Sequence, residues 1–244
     1  PEAQKNITNA INSAGVFGDP VSKEFAQKIA EKLEVFTDPE AQKNITKAIY
    51  AGVFGDEIPK EVAEKIAEKL TVFTDPDAQK IITWSIGDGS FGNPIPKEVA
   101  LKIAEKLEVF SDPEAQRSIA GFIFSKKFGN PIPEEVAEKI AEKLRVFTDP
   151  DAQLPFTWSI EDGRFGKPIR TELAQKIVEN IGGITNFESQ SSFVHSITSE
   201  SIGGELKNKF KDSITAKLEN LTDDKDQRWV VLAIKEGIFG DEIP

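Results

Sequence analysis

His195 is the only histidine in the chain, so any imidazole relay or histidine-bound metal would have to centre on it. No second histidine can complete a multi-histidine metal site. The absence of cysteine removes thiolate ligands, disulfides and cysteine nucleophiles. Carboxylates are plentiful, but Glu64 and Glu68 recur in copies as part of a Glu/Lys face. They read as solvated surface rather than as an acid/base pair. Every Gly-rich stretch repeats at a fixed spacing as a helix terminator, which removes a phosphate-cradling loop. What is left with binding chemistry is aromatic: Trp84 and Trp158 at equivalent positions, with Tyr50 and Phe124 at another. Tryptophan and tyrosine are favoured anchors at binding surfaces. A cationic ladder accompanies them, Lys5, Lys43, Lys80, Arg117 and Arg228 at one position, broken by Leu154 and Ser191.

Composition narrows the partners. The 244 residues carry 30 Lys+Arg against 41 Asp+Glu, a net charge of −11. Phosphate affinity comes mainly from cation–phosphate contacts, so this balance argues against nucleic acid. No apolar run is long enough to span a membrane. Nothing in the sequence asks for a cofactor or a metal, and the reading is of a protein that is not an enzyme.

The elements that must position these residues repeat. PEAQKNIT occurs at Pro1–Thr8 and Pro39–Thr46, and EKIAEKL at Glu64–Leu70 and Glu138–Leu144. The period is 37 residues, with one extra residue near Ser13. It divides the chain into regular units 1–38, 39–75, 76–112, 113–149 and 150–186. A divergent unit 187–223 and a half unit 224–244 follow. Each full unit reads as two helices. In the second unit Asp38 is an N-cap, Pro39 takes the first helical position, and Ala41, Ile45, Ala48 and Ile49 form an apolar stripe. A glycine recurs at Gly18, Gly55, Gly92, Gly129, Gly166, Gly203 and Gly240, which predicts positive φ or close packing there. The second helix is expected to begin with the same cap-then-proline grammar at Asp19-Pro20, Asn93-Pro94 and Asn130-Pro131. Its apolar face is Val62, Ala63, Ile66, Ala67 and Leu70, and its wet face is Lys60, Glu61, Glu64, Lys65, Glu68 and Lys69. Two short helices cannot bury these stripes alone, whereas stacked neighbours can. The fold class is therefore all-α, an α-solenoid of about six and a half helix-turn-helix repeats. The chain starts just after a missing cap and stops in the first turn of a second helix, which reads as a segment of a longer array. The unit from Phe187, without the Asp-Pro start, reads either as drift or as a bend between regular runs.

The turn Phe36-Thr37-Asp38-Pro39-Glu40-Ala41-Gln42, copied at Phe73–Gln79, Phe110–Gln116 and Phe147–Gln153, resembles the intra-repeat turn of HEAT- and armadillo-like repeats. The arginine usual on the inner helix of those families is absent, and Gln42 and Lys43 stand there instead. The resemblance implies that the helix beginning at Pro39 is the inner, concave-lining one.

Comparison among the units locates the variable positions. At the ninth position stand Asn9, Lys47, Trp84, Gly121, Trp158, His195 and Leu232; three residues on stand Asn12, Tyr50, Gly87, Phe124, Glu161, Thr198 and Lys235. Both lie on one face of the first helix, away from its apolar stripe. Variation on one face over a constant scaffold is the layout of a recognition surface. The candidate partner-binding residues are Lys47, Tyr50, Trp84, Phe124, Trp158, Glu161 and His195. Trp84 and Trp158 read either as groove or as inter-repeat core, and Trp229 as packing. The cationic ladder reads either as a polyanion stripe or as partners of the turn aspartates Asp38, Asp75, Asp112 and Asp149. The expected function is a non-catalytic scaffold binding a protein or peptide partner. The alternative is a self-assembling structural array, and modular nucleic-acid binding ranks last.

Overall fold

The computed structural model describes residues 2–16, 20–198, 204–218 and 224–240; Gly18 and Gly203 lie outside them. The described residues hold thirteen α-helices and no strand. They are α1 (Glu2–Val16), α2 (Lys23–Glu31), α3 (Pro39–Tyr50), α4 (Lys60–Glu68), α5 (Pro76–Asp88), α6 (Lys97–Glu105), α7 (Pro113–Phe124), α8 (Glu134–Glu142), α9 (Pro150–Glu161), α10 (Thr171–Asn180), α11 (Phe187–Thr198), α12 (Gly204–Leu218) and α13 (Asp224–Lys235). The chain divides into two compact units, residues 1–122 and 123–244, with α7 spanning the division. In the first unit α1, α3 and α5 pack in series, as do α2, α4 and α6. In the second, α9, α11 and α13 form one series and α8, α10 and α12 the other. Each unit is thus a two-layer, solenoid-like stack: first helices on first helices, second on second. None of the described helices is long and apolar enough to cross a membrane.

The first helices start as the sequence dictates. Asp38 Oδ1 accepts from the amides of Glu40 and Ala41 at 3.0 and 3.2 Å, with Pro39 in the first turn where no amide is needed. Asp112 and Asp149 cap α7 and α9 in the same way. The divergent repeat keeps the cap without the proline: Asn186 Oδ1 accepts from Ser189 N at 2.9 Å. The apolar stripes meet as expected, with Ala41, Ile45, Ala48, Ile49, Val62, Ile66, Ala67 and Leu70 all buried. The recurrent glycine has positive φ at each described position from Gly55 to Gly240.

The second helices differ from the sequence expectation. They begin three residues or more beyond Asn93-Pro94 and Asn130-Pro131, with Pro59, Pro96 and Pro133 in the N-cap position. In the first repeat Ser22 caps α2, and Asp19 lies outside the described residues. They are also short. α4 has nine residues, and its apolar face is completed by a separate 3₁₀ turn at Leu70–Val72. The reason is a backbone bond that helical continuation would forfeit. Ile58 N donates to Ser90 O at 2.8 Å, Val21 N to Val53 O and Ile132 N to Arg164 O at the same distance, each reaching the next repeat. The segment before each of these second helices is therefore extended.

A glutamine makes the other inter-repeat link. Gln42 is buried, and its Oε1 accepts from the amides of Thr74 and Asp75, both at 3.0 Å. Gln4 holds Thr37 and Asp38, Gln79 holds Ser111 and Asp112, and Gln153 holds Thr185 and Asn186 in the same manner. Gln153 Nε2 further donates to Gly183 O at 3.1 Å. Gly183 lies so close to the preceding repeat that a Cβ there would sit 2.8 Å from Arg145 Cα. Gly183 thus permits a close approach at the entrance to the divergent repeat, whereas a Cβ at Gly182 would meet open space.

The Glu/Lys face carries inter-repeat ion pairs as well as solvent contact. Lys23 meets Glu61 at 3.0 Å and Lys60 meets Glu98 at 2.9 Å. Lys176 of α10 bridges Glu138 and Glu142 of α8 at 2.6 and 2.8 Å. Hydrogen bonds from Lys139 and then Lys176 hold the Glu142 carboxyl below the usual carboxylate range, and those to Glu138 and Glu142 raise the Lys176 ammonium.

Replacing Gln42 by alanine leaves two inward-facing amides without their acceptor. Urea denaturation is expected to show a loss of about 1–3 kcal/mol, the cost of an unsatisfied buried group. A depressed carboxyl stabilises above its unfolded pKa and ceases to do so as pH falls through the folded value. The stability gap between the wild type and Lys176→Met should therefore be full near neutrality and close on acidification below the usual carboxylate range. A gap that widens in acid would contradict this assignment.

Candidate functional site

Lys47 and Tyr50 lie on α3, Trp84 on α5, Phe124 at the end of α7, Trp158 and Glu161 on α9, and His195 on α11. Between α3 and α5 the Gln42 link fixes the offset of consecutive first helices. The last residue of one helix is thereby brought beside the middle of the next. Tyr50 meets Trp84 with ring centroids 6.2 Å apart and planes tilted by 57°. Phe124 meets Trp158 at 5.8 Å and 53°. These geometries fall in the range that aromatic pairs prefer. Tyr50, Trp84 and Trp158 remain 48%, 40% and 39% exposed. The two tryptophans are therefore surface residues and not inter-repeat core. Trp229 is core, buried edge-on against Phe193 and Phe210.

The other candidates do not join these pairs. Lys47 and Glu161 are exposed on their helices. His195 is exposed and lies 3.7 Å from Glu236 of the following repeat. Gly87 stands at the position of Tyr50 and Phe124. The Phe122 ring fills the space a side chain would need there, its nearest carbon 1.9 Å from where a Cβ would stand. Sequence reasoning passed over Phe122, although glycines at both variable positions, Gly87 and Gly121, signalled room for a ring.

The cationic ladder pairs mainly within its own helices. Lys43 binds Glu40 at 2.9 Å and Lys80 binds Asp77 at 3.1 Å, and these bonds raise both ammonium groups. Lys5 reaches a turn aspartate, Asp38, at 3.9 Å, and Lys80 also lies 3.9 Å from Glu114 of the following repeat. The turn aspartates Asp38, Asp112 and Asp149 give an oxygen to helix amides, and the first-turn carboxylates lie nearer the lysines. That competition is why Lys43 and Lys80 pair first within their own helices.

Arg164 is the residue that sequence reasoning missed most completely. It is only 8% exposed, in the loop after α9. Its Nε donates to Phe124 O at 3.0 Å, Nη1 to Asn130 Oδ1 at 2.8 Å and Nη2 to Asp162 Oδ2 at 2.9 Å. The guanidinium carbon lies 5.9 Å from the Phe124 ring centre. The cradle is thus an aromatic ring, a carboxylate, an amide oxygen and a carbonyl around one planar cation. At the equivalent place in the first unit, Tyr50, Asp56, Asp88 and Ser90 surround a hollow.

Truncating Trp84 or Trp158 to alanine removes a half-exposed ring and is expected to lower stability by about 1 kcal/mol, in line with the roughly 0.5–1.5 kcal/mol an aromatic pair contributes. Trp229→Ala, which empties a buried site, should cost about 3–5 kcal/mol. Equal losses in thermal melts would return Trp84 and Trp158 to the core.

Compared with protein-family models, with curated proteins and with solved structures, the chain finds no match.

Proposed function

We propose that this chain is a non-catalytic repeat scaffold that binds a protein or peptide partner through the variable face of its first helices. The observation that carries the reading is the pair of solvent-exposed tryptophans, each leaning on an aromatic ring of the preceding repeat. A tilted pair holds both rings in place before binding, so little further side-chain ordering is required when a partner covers them. The Asp-Pro turn and the two-layer stacking of helix pairs support the HEAT-/armadillo-like resemblance. In that reading the layer containing α3 and α5 lines the binding face. The net charge of −11 favours a partner with cationic groups over nucleic acid.

The experiment is selection of displayed peptides on the intact chain, followed by calorimetry on the selected sequences. Trp84→Ala or Trp158→Ala is expected to weaken binding by about 2 kcal/mol, the scale of a hot-spot residue, while the fold is kept. Selected peptides indifferent to both substitutions would overturn the proposal.

A further inference from the structure

We infer that the hollow formed by Tyr50, Asp56, Asp88 and Ser90 is a receptor for an arginine side chain presented by the partner. The inference rests on the partner-binding reading above and specifies what one part of that face recognises. Its basis is that the chain contains the same cradle twice, once filled and once open.

The two cradles share a frame. Tyr50 and Phe124 are the last residues of α3 and α7. Asp88 corresponds to Asp162, Asp56 to Asn130 and Ser90 to Arg164 in the repeat register. The backbone is tied alike in both, since Ile58 N donates to Ser90 O and Ile132 N to Arg164 O, each at 2.8 Å. In the second unit the protein's own guanidinium occupies the cradle, with three hydrogen bonds and a ring beneath it. In the first unit serine replaces that arginine and leaves a hollow of about 280 Å³.

The charge change points the same way. Arg164 and Asp162 neutralise one another in the filled cradle. The open one holds two carboxylates, Asp56 and Asp88, and no cation among its lining residues. Asp88 Oδ1 is fixed by Ser90 N and Oγ at 2.8 and 2.7 Å, which orients the carboxylate. Asp56 is exposed and has no ion-pair partner among the described residues. A ring face for cation–π contact and acceptors on two sides suit a planar fork of donors better than a compact ammonium. The hollow also adjoins the Tyr50–Trp84 pair, so an arginine seated there would lie beside an apolar anchor.

The test uses the intact, isotope-labelled chain and the blocked tripeptide Gly-Arg-Gly, with Gly-Lys-Gly and Gly-citrulline-Gly as comparisons. The arginine peptide is expected to shift the amides of Tyr50, Asp56, Asp88 and Ser90 and the Trp84 indole in a saturable way. The lysine peptide should bind at least about fivefold more weakly and the neutral citrulline peptide not measurably, since it lacks the charge that strengthens these bonds. Ser90→Arg should fill the cradle in cis and abolish the shifts. Asp56→Asn, which installs the amide already present in the filled cradle, should weaken binding several-fold without loss of fold. It keeps the question open to refutation should Ser90→Arg fail to fold. No saturable shift, equal binding of citrulline, or full arginine binding by Asp56→Asn would overturn the inference. Failure of the wider reading looks different: selected peptides would then ignore Trp84 and Trp158. If those peptides need the tryptophans but neither contain arginine nor respond to Ser90→Arg, the receptor alone is refuted.

Discussion

Everything in this molecule depends on a glutamine, buried at Gln42, Gln79 and Gln153, that binds the next repeat. An array of helix pairs needs more than matching apolar stripes, because such stripes can slide. Gln4, Gln42, Gln79 and Gln153 each place one side-chain oxygen between two consecutive amides at the turn one repeat further on. Those are the amides that immediately precede a helix, where the next Asp or Asn begins its cap. The glutamine therefore joins two repeats and positions a helix start in one contact. Sliding by one residue would leave both amides and the glutamine oxygen unsatisfied, which costs more than the net value of the bonds themselves. In Gln190 the same oxygen is buried with no partner among the described residues, and the equivalent donors, the amides of Thr222 and Asp223, fall outside them.

From that fixed offset the surface follows. The first helices are held so that the end of one meets the middle of the next, and the Tyr50–Trp84 and Phe124–Trp158 pairs form there. Where Gly87 ends the sequence of large residues, Phe122 moves into the vacated volume. The second-helix layer works differently. Its pairs, such as Lys23–Glu61 and Lys60–Glu98, are exposed and individually weak. They tolerate near-identical sequence through the first four repeats because each needs only the opposite charge in its neighbour. Variable chemistry is confined to the layer whose register is set by the buried bond.

The features legible in the sequence are those that repeat along the chain. The caps at Asp38 and Asp149, the stripe of Ile45 and Ile49, and the positive-φ glycines are local and periodic, so the helix-pair stack can be read from them. The start of the second helix cannot, because Pro59 and Pro96 stand after a segment whose shape is set by a bond such as that from Ile58 N to the following repeat. In the sequence Gln42 stands out only as the residue in place of an arginine. A glutamine next to Lys43 on a helix looks solvent-facing until its long-range acceptor role is known. The lysine ladder matches the turn aspartates in spacing, but helix amides already hold those oxygens. For Trp84 and Trp158 the spacing is compatible with groove or core, and only their exposure separates the two. Arg164 lies in a loop whose sequence signal is its glycines, and nothing local marks a cradle whose walls come from Phe124 and Asn130.

The bay between successive first helices shows how this scaffold changes its chemistry at small structural cost. In the second, third and fifth repeats one residue lies at its floor, held by the same backbone bond. In the second repeat it is Val53, buried, with its carbonyl bound to Val21 N. In the third it is Ser90, whose hydroxyl orients Asp88. In the fifth it is Arg164, which reaches out to a ring, a carboxylate and an amide. Because the tie uses only backbone atoms, it is indifferent to the side chain, and the packing of the stripes on either side is untouched. The floor residue can therefore be apolar, small or cationic in turn, closing a bay, leaving it open or filling it from within. Specificity in such an array does not need new loops or a new fold. It needs one position per repeat whose backbone is fixed and whose side chain is free to differ, which is the arrangement the glutamine and the extended segment together provide.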